Sequence, residues 1–421
     1  MSLRFIQTIE DAIYNSFNQL DNKLIYIAYS GGVDSQVLLR ASAKLIEDKR
    51  LDKQLSVCHI HHGLSENSDE WLLFAKDQSN KYQADFKFQK VNVCELSGGG
   101  LEAAARNARY QALVSMTHVN DIIATGHHND DQAETFLLAL KRGSGITGLS
   151  AMKPQRNLSE RKLIRPLLNI TRHDIERYAR HHQLSWVEDE SNADITFDRN
   201  FLRNDVLPAL EKRWPAIKKT IARSAQHCSD AQTLILEITQ QDFNDVSISN
   251  SELSLPKLLR LSRIRFNHVI RFFLEQHNSL MPSQVQLQEL AEQLLADEDK
   301  SPALKFGNHW LRRYRNSLFI TPNYLELSDW QHTITLSSVK KLNAVVIKLP
   351  DNLGSLKVRL FNDLDVTLRA EQQVISLADN YDISLSYQHN NPTCTPEFRH
   401  KRRALKKILQ ELAIPVWERK R

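Results

Sequence analysis

The sequence predicts an α/β protein: a doubly wound parallel sheet at the N-terminus, a mainly helical domain after it, and a small basic α+β domain at the end. Three observations support this. Apolar runs of strand length alternate with stretches of helical period through the N-terminal third. The first run, 24–29, is apolar almost throughout, as suits a strand buried on both faces. The residues with chemistry to offer fall after 29, 60 and 125, at strand ends, where open α/β sheets bind ligands.

The elements follow in order. Residues 1–20 have the spacing of a leading amphipathic helix. Strands are expected at 24–29, 55–60, 86–93 and 122–125, and helices at 33–47, 69–81, 102–118 and 132–140. Thr171 and Asp174 form a capping-box start for a helix running to His182, and Trp186-Val187 reads as a short strand. Pro208 and Pro215 flank the end of the first domain, 1–215. The pattern is then helical to 278, and Ser283 with Gln286 caps a further helix to Leu295. Residues 303–350 read as short strands with turns. The helical domain is thus placed at 216–330. The last domain, 331–421, combines strands at 356–361 and 366–368 with a basic helix at 399–412.

A length of 421 residues suits two or three domains. Apolar content of 41% and charged content of 25% are those of a water-soluble protein. No run is apolar enough to cross a bilayer, and the segment after Met1-Ser2-Leu3-Arg4 has no signal-peptide core, so a cytoplasmic location is expected. Cys58, Cys94, Cys228 and Cys394 are scattered without a C-x-x-C pair, which removes support for zinc, iron–sulfur and redox-dithiol chemistry. The net charge of +5 is concentrated: 397–421 holds nine Lys or Arg against three Glu. Such a tail points to a polyanion such as nucleic acid; a solvated helix face is the plainer alternative.

The run Ser30-Gly31-Gly32-Val33-Asp34-Ser35 joins the first strand to a helix. Its glycines let backbone N–H groups approach a ligand, the helix N-terminus favours an anion, and the two serines add donors. Asp34 would repel a phosphate unless a bound Mg2+ reconciled the charges. No lysine follows as a Walker A loop requires. A second stretch, Gly126-His127-His128-Asn129-Asp130-Asp131-Gln132-Ala133-Glu134-Thr135, runs from a strand end into a helix. Asp131 and Glu134 are three apart and share a helical face, with Asp130 at the helix start. Three carboxylates there suit Mg2+ or a cationic substrate; acids complementing the helix dipole are the alternative. His127 and His128, like His59, His61 and His62, read as active-site wall rather than metal ligands. Arg106 and Arg109, one turn apart, either clamp a phosphate or lie on a solvated face. Gly143-Ser144-Gly145-Ile146-Thr147-Gly148 matches G-x-G-x-x-G but follows a helix with none expected behind it, so it reads as a loop near the substrate entrance.

The Ser30–Ser35 hexapeptide resembles the PP-loop of the Rossmann-like N-type ATP pyrophosphatases, which cleave ATP between the α- and β-phosphates. In order along the chain follow His61-His62-Gly63-Leu64, the 102–110 helix, the Gly126 to Thr135 run, Arg142-Gly143-Ser144-Gly145 with Gly148-Leu149, and Arg165-Pro166-Leu167-Leu168. Trp186, Glu188-Asp189, Ser191-Asn192, Arg199-Asn200 and Arg203 complete the series. The ordered set resembles the tRNA(Ile)-lysidine synthetase family, strongly over 24–210. The match is weaker beyond, where Lys401 to Trp417 is similar to a late basic helix followed by a Pro-Trp segment. Family members usually continue past this point, so a truncated last domain is expected.

The resemblance implies ATP and Mg2+ as cofactors, and tRNA(Ile) with a CAU anticodon and free L-lysine as partners. It implies no membrane, and leaves a homodimer open. Ser30, Gly31, Gly32, Val33, Asp34 and Ser35, with Arg106, Arg109 and His127, would hold the nucleotide. Asp34 and Asp130 would hold the metal, and Asp131 and Glu134 the lysine ammonium. Arg199 and Arg203 would steady a phosphate or the adenylated intermediate; with Asp34, Asp131 and Glu134 they form the expected catalytic set. Basic patches at Lys257, Arg260, Arg263, Arg265 and Arg271, at Arg312, Arg313, Tyr314 and Arg315, and at 399–407 including Arg402 and Arg403 would position tRNA. A PP-loop tRNA sulfurtransferase is the nearest alternative, but those enzymes usually carry paired active-site cysteines. A non-catalytic RNA-binding protein is the alternative from another class; the intact Asp34, Asp130, Asp131 and Glu134 count against it.

Overall fold

The structure, a computed structural model, describes residues 4–63, 65–92, 100–295, 302–335, 339, 344–359, 382–396 and 401–421. It divides into two compact units, Met1–Leu236 and Glu237–Arg421. The expectations at Leu64, Cys94, 366–368 and Arg399 lie outside the described residues.

The first unit opens with α1 (Arg4–Asn18), β1 (Leu24–Ala28), α2 (Val33–Glu47), β2 (Gln54–His61), α3 (Ser68–Lys81), β3 (Asp85–Lys90), α4 (Gly100–Met116), β4 (Ile122–Thr125) and α5 (Asn129–Lys141). These are the elements the alternating pattern predicts, with ends shifted by a few residues, as expected where helices fray. A short α6 (Ile146–Leu149) opens at Gly145, contrary to the expectation that no helix follows the glycine-rich run. Next come β5 (Gln155–Leu158), β6 (Arg161–Ile164) and α7 (Arg172–His181), the last capped by Thr171, whose side chain accepts from the Asp174 N–H.

The sheet order is β3-β2-β1-β4-β6-β5, parallel except for β5. Sequential strands run outward from β1 to one side and then from β4 to the other. The order therefore reverses between β1 and β4, the place where such sheets open a crevice at their carboxyl edge. Ile25, Ile27, Val37, Leu38 and Tyr178 are among the residues buried between the sheet and α1, α2 and α7. On the other face, Leu113 and Tyr110 of α4 pack on Tyr26, Cys58 and Ile123.

Trp186-Val187 forms no strand. Instead the Val187 N–H donates to the Gly31 carbonyl at 3.0 Å, so one bond ties this segment to the turn after β1. Beyond it, α8 (Asp198–Phe201), a π-helical turn (Leu202–Val206) and α9 (Leu207–Arg213) follow one another without a break. The long α10 (Ile217–Val246) carries the chain from the first unit into the second.

The second unit packs α11 (Leu255–Leu258), α12 (Arg263–Gln276) and α13 (Gln284–Leu294) against a five-stranded sheet. That sheet is made of β7 (Ser247–Ser249), β8 (Glu252–Ser254), β9 (Ala303–Phe306), β10 (His309–Tyr314) and β11 (Ser317–Pro322), in the order β7-β8-β11-β10-β9. Ser283 and Gln286 form the expected capping box of α13. The β7–β8 hairpin interrupts a stretch whose pattern reads as helical. Pairs β12 (Gln331–Ile334) with β15 (Ile383–Ser386), β13 (Ala344–Lys348) with β14 (Ser355–Arg359), and β16 (Thr393–Cys394) with β17 (Arg403–Ala404) complete the strands. The basic helix α14 is shorter than expected, Leu405–Glu411. After it the chain lies against the sheet: the Trp417 ring is 5.6 Å from Phe319 and 6.1 Å from Tyr314, and the Tyr324 hydroxyl donates to Glu418 at 2.7 Å.

Candidate active site

The turn between β1 and α2 is built around Gly31, at φ +90, where a Cβ would stand 2.6 Å from Val187 Cγ2. Gly32 caps α2 with extended backbone, so the first helical N–H groups face outward from the sheet edge. Ser35 Oγ donates to the Gly32 carbonyl at 2.9 Å and lies 3.3 Å from Ser30 Oγ. From the neighbouring strand, Gly126 approaches so closely that a Cβ there would lie 2.9 Å from the Asp34 carbonyl carbon. The two sequence runs singled out above therefore meet at the crevice between β1 and β4.

The four acids at this crevice all have cationic partners. Arg172 Nη1 is 2.8 and 2.6 Å from the two Asp34 oxygens, and its backbone N–H donates to Asp130 at 3.2 Å. Lys218 Nζ is 2.6 Å from Asp130 Oδ2. Arg199 Nε donates to Glu134 Oε2 at 2.6 Å and Arg203 Nε to Oε1 at 2.7 Å, while both guanidiniums also reach Asp131 Oδ1, at 3.2 and 3.3 Å. Glu134 is 1% exposed. Asp131 and Glu134 thus share one face of α5, as their spacing predicts. The sequence reading missed Arg172 and Lys218. Arg172 follows the capping Thr171 directly, a weak signal, and Lys218 carries none.

Electrostatics separates the acids. Burial pushes the Asp34 carboxyl up, and neither the His128 imidazole nor Arg172 fully offsets it. Burial would also raise Asp131, but His128, Arg199 and the His128 backbone N–H outweigh it and hold it well below the usual range. His128 caps α5 and stands among the acids, with Nε2 3.5 Å from Asp34 Oδ1 and 3.5 Å from Asp131 Oδ2. His127 bonds Thr125 Oγ1 at 2.8 Å, and burial pushes it down to about 3, so it is neutral at ordinary pH. Burial pulls Arg109 below its ordinary value. His59 Nδ1 lies 3.1 Å from the Tyr29 carbonyl and His61 Nε2 lies 3.0 Å from Asp69, so both are engaged in holding the wall.

The donor set fits a Mg2+ completed by phosphate oxygens. Asp34 and Asp130 are hard oxygen donors of the kind that ion takes, one or two carboxylates sufficing beside phosphates; the first is held by the Arg172 side chain and the second by its backbone N–H. Among the described residues no group of three or more His, Cys, Asp or Glu is placed to hold a metal alone.

The expected basic patches in the second unit are unequal. Arg313 must be corrected: it is 8% exposed and donates to the Leu294 carbonyl at 3.0 Å, so no tRNA phosphate reaches it in this conformation. Arg312 is stacked between Trp310 and Trp417, 5.2 and 5.4 Å from their ring centroids. Arg315 donates to the Gln410 carbonyl at 2.9 Å, Arg265 is paired with Asp242, and Arg403 is paired with Glu411. Arg260, Arg271, Lys401, Arg402, Lys406 and Lys407 are exposed.

Comparison with known proteins fits this arrangement. A PP-loop domain model matches residues 5–210, a TilS substrate binding domain model 253–319, and a TilS substrate C-terminal domain model 383–421. A tRNA(Ile)-lysidine synthase of Histophilus somni (strain 129Pt) is 39% identical over 413 residues, covering 97% of this chain and 94% of its own length. Proteins of the same name from Haemophilus influenzae (strain PittEE) and Serratia proteamaculans (strain 568) are 37% and 39% identical. Each covers 94% of this chain, and 90% and 87% of its own length respectively. Among solved structures, the U34-tRNA thiolase NcsA from Methanococcus maripaludis aligns over 53% of this chain and 78% of its own at 18% identity. Its TM-score is 0.45, a likeness that carries no argument.

Proposed function

We propose a reaction course from one premise: the chain belongs to the tRNA(Ile)-lysidine synthase family, and is an ATP-using ligase that forms lysidine on tRNA(Ile). Free L-lysine is the acceptor amine, and the wobble cytidine of a CAU anticodon is the base modified. The ring carbonyl oxygen of that cytidine attacks the α-phosphorus of ATP, and pyrophosphate leaves. The neutral ε-amine of lysine then attacks the activated ring carbon, loses its proton, and AMP departs with the oxygen. Residues 1–215 are assigned the chemistry, and 216–330 with 331–421 the positioning of tRNA. The setting proposed is the cytoplasm, and sedimentation of the purified chain decides between monomer and homodimer.

The geometry supports the following roles. Ser30 to Ser35 present fixed donors to the leaving pyrophosphate, where negative charge develops. Asp34 and Asp130 would hold Mg2+, which supplies charge neutralisation at the phosphates. His127 and Arg109 wall the nucleotide side. Asp131 and Glu134 receive the lysine ammonium by exchange with Arg203, the more exposed of the two arginines at 38% against 20% for Arg199. Arg203 released in this way is free to meet the adenylate. Because Asp131 is held ionised, it offers the ammonium a fixed negative charge.

The single observation that carries the reading is the meeting of the Ser30–Ser35 turn with four acids at the β1–β4 crevice. Labelled lysine incubated with ATP and tRNA(Ile) transcript should enter RNA with release of pyrophosphate and AMP; orthophosphate as the product refutes it. A second reading has one observation in its favour. Both Glu134 oxygens are already bonded by Arg199 and Arg203, so the acids would serve only to aim those arginines at phosphate. Glu134→Gln then raises KM for ATP, whereas under the first reading it raises KM for lysine.

A further inference from the structure

Asp130 is held differently from the other three acids of the crevice. Guanidiniums meet Asp34, Asp131 and Glu134, whereas an ammonium meets Asp130. Its Oδ1 accepts from the Arg172 backbone N–H at 3.2 Å, and its Oδ2 lies 2.6 Å from Lys218 Nζ. The same Nζ is 2.9 Å from Glu211 Oε2 on α9, so one ammonium bridges two carboxylates. Burial alone would lower the Lys218 pKa, but the bonds to Asp130 and Glu211 outweigh it and hold the group above its ordinary value. The positive charge is therefore present at any ordinary pH.

Nothing in the local sequence asks for a cation at this place. Lys218 is the second residue of α10, where the helix macrodipole favours acids. The two carboxylates account for its position. Its side chain is 23% exposed, so water reaches it, and a compact ammonium on a flexible stem can lean toward Glu211 without moving the helix. Arg172 has no such freedom. Its guanidinium is fixed by Asp34 and Glu176 together while its backbone N–H holds Asp130.

We infer that Lys218 keeps Asp130 from taking a divalent cation by itself, so that metal enters the crevice together with the phosphates of ATP. The inference rests on the proposed role of Asp130 as a metal ligand. A free divalent ion would meet an ammonium already bonded to Oδ2, and two positive charges sharing one carboxylate repel each other. An ion that arrives on a triphosphate brings negative charge with it, which offsets that repulsion. Lys218 then leans on Glu211, which keeps the ammonium paired while Asp130 serves the ion. Lys218 is a positioning residue in this scheme: it acts on the loading of the site through Asp130.

Titration of the nucleotide-free protein with Mn2+, read as the free-ion signal in electron paramagnetic resonance, tests this. Lys218→Met should tighten Mn2+ binding about tenfold, the scale of one charge-assisted hydrogen bond. Lys218→Gln should do the same if the methionine variant fails to fold, and Lys218→Arg should bind as the parent does. Lys219→Met removes an equal charge from the neighbouring, exposed side chain. Because an exposed charge is screened, its effect should stay below about twofold. Equal tightening by Lys218→Met and Lys219→Met overturns the inference, as does the absence of tightening in a folded, uncharged Lys218 variant. The gain must also vanish when Asp130→Asn is added to Lys218→Met. A gain that survives there refutes Asp130 as a metal ligand and the inference with it, whereas a gain that never arises refutes the inference and leaves the ligand assignment standing.

Discussion

Replacing Gly126 by alanine tests how tightly the two halves of the crevice are set. The added methyl would stand 2.9 Å from the Asp34 carbonyl carbon, 3.1 Å from its oxygen and 3.1 Å from the Ser35 nitrogen. Relaxed carbon contacts begin about half an ångström farther out, so something must withdraw by roughly that amount. All three obstacles are main chain, which means the first turn of α2 moves and takes Asp34 and Ser35 with it. A misplacement of about 1 Å at reacting groups costs on the order of 100-fold. Half of that displacement places the expected loss in kcat/KM for lysidine formation at about 10- to 100-fold. Overpacking of this kind also costs about 1–3 kcal/mol of stability, visible as a drop of a few degrees in Tm. The assay is incorporation of labelled lysine into tRNA(Ile) transcript, run beside a thermal melt. Full activity with an unchanged Tm would show that the approach of Gly126 does not set the position of the turn.

Three further outcomes are expected. Asp131→Asn should abolish lysidine formation while ATP binding by equilibrium dialysis remains measurable; unchanged lysine turnover sinks the assignment. Burial pushes His62 down to about 4 and His127 to about 3, from 6.5, so the unfolded chain takes up these protons first as pH falls. Their contribution to stability is complete above the unfolded value and is lost on acidification toward the folded ones. Melts from pH 7 down to pH 4 should therefore fall more steeply for the parent than for His62→Gln, and parallel curves would contradict this. Deleting 397–421 should weaken tRNA binding and flatten its salt dependence; a slope that stays put means the tail is only a solvated surface.

The first sheet was legible because β1 and β4 are apolar runs, β2 is buried along most of its length, Phe86 and Phe88 alternate with polar residues in β3, and its helices keep a clean period. The hairpin β5–β6 was not, since Gln155–Leu158 is an edge strand of mostly polar residues with no alternation to read. Ser247–Ser249 and Glu252–Ser254 are three residues each, too short to break a helical pattern on either side. At the site, local spacing sufficed for Asp131 and Glu134, which share a helix face. Arg172 and Lys218 reach acids that are 138 and 88 positions away, and such pairings are set by the packing of whole elements rather than by any local pattern. The patch at Arg312 and Arg313 misled for a related reason. A run of arginines has the same sequence signature whether its guanidiniums meet solvent, as at Arg402, or close over carbonyls and indoles, as at Arg313 and Arg312.

The pairing of Asp34, Asp130, Asp131 and Glu134 with Arg172, Lys218, Arg199 and Arg203 makes the crevice behave like an ion-exchange resin. On the proposed reaction, an arriving ammonium or phosphate would displace a resident counter-charge instead of adding to an unbalanced field. Its affinity is then a small difference between two similar contacts, and each ligand that loads liberates a group of the sign needed to greet the next.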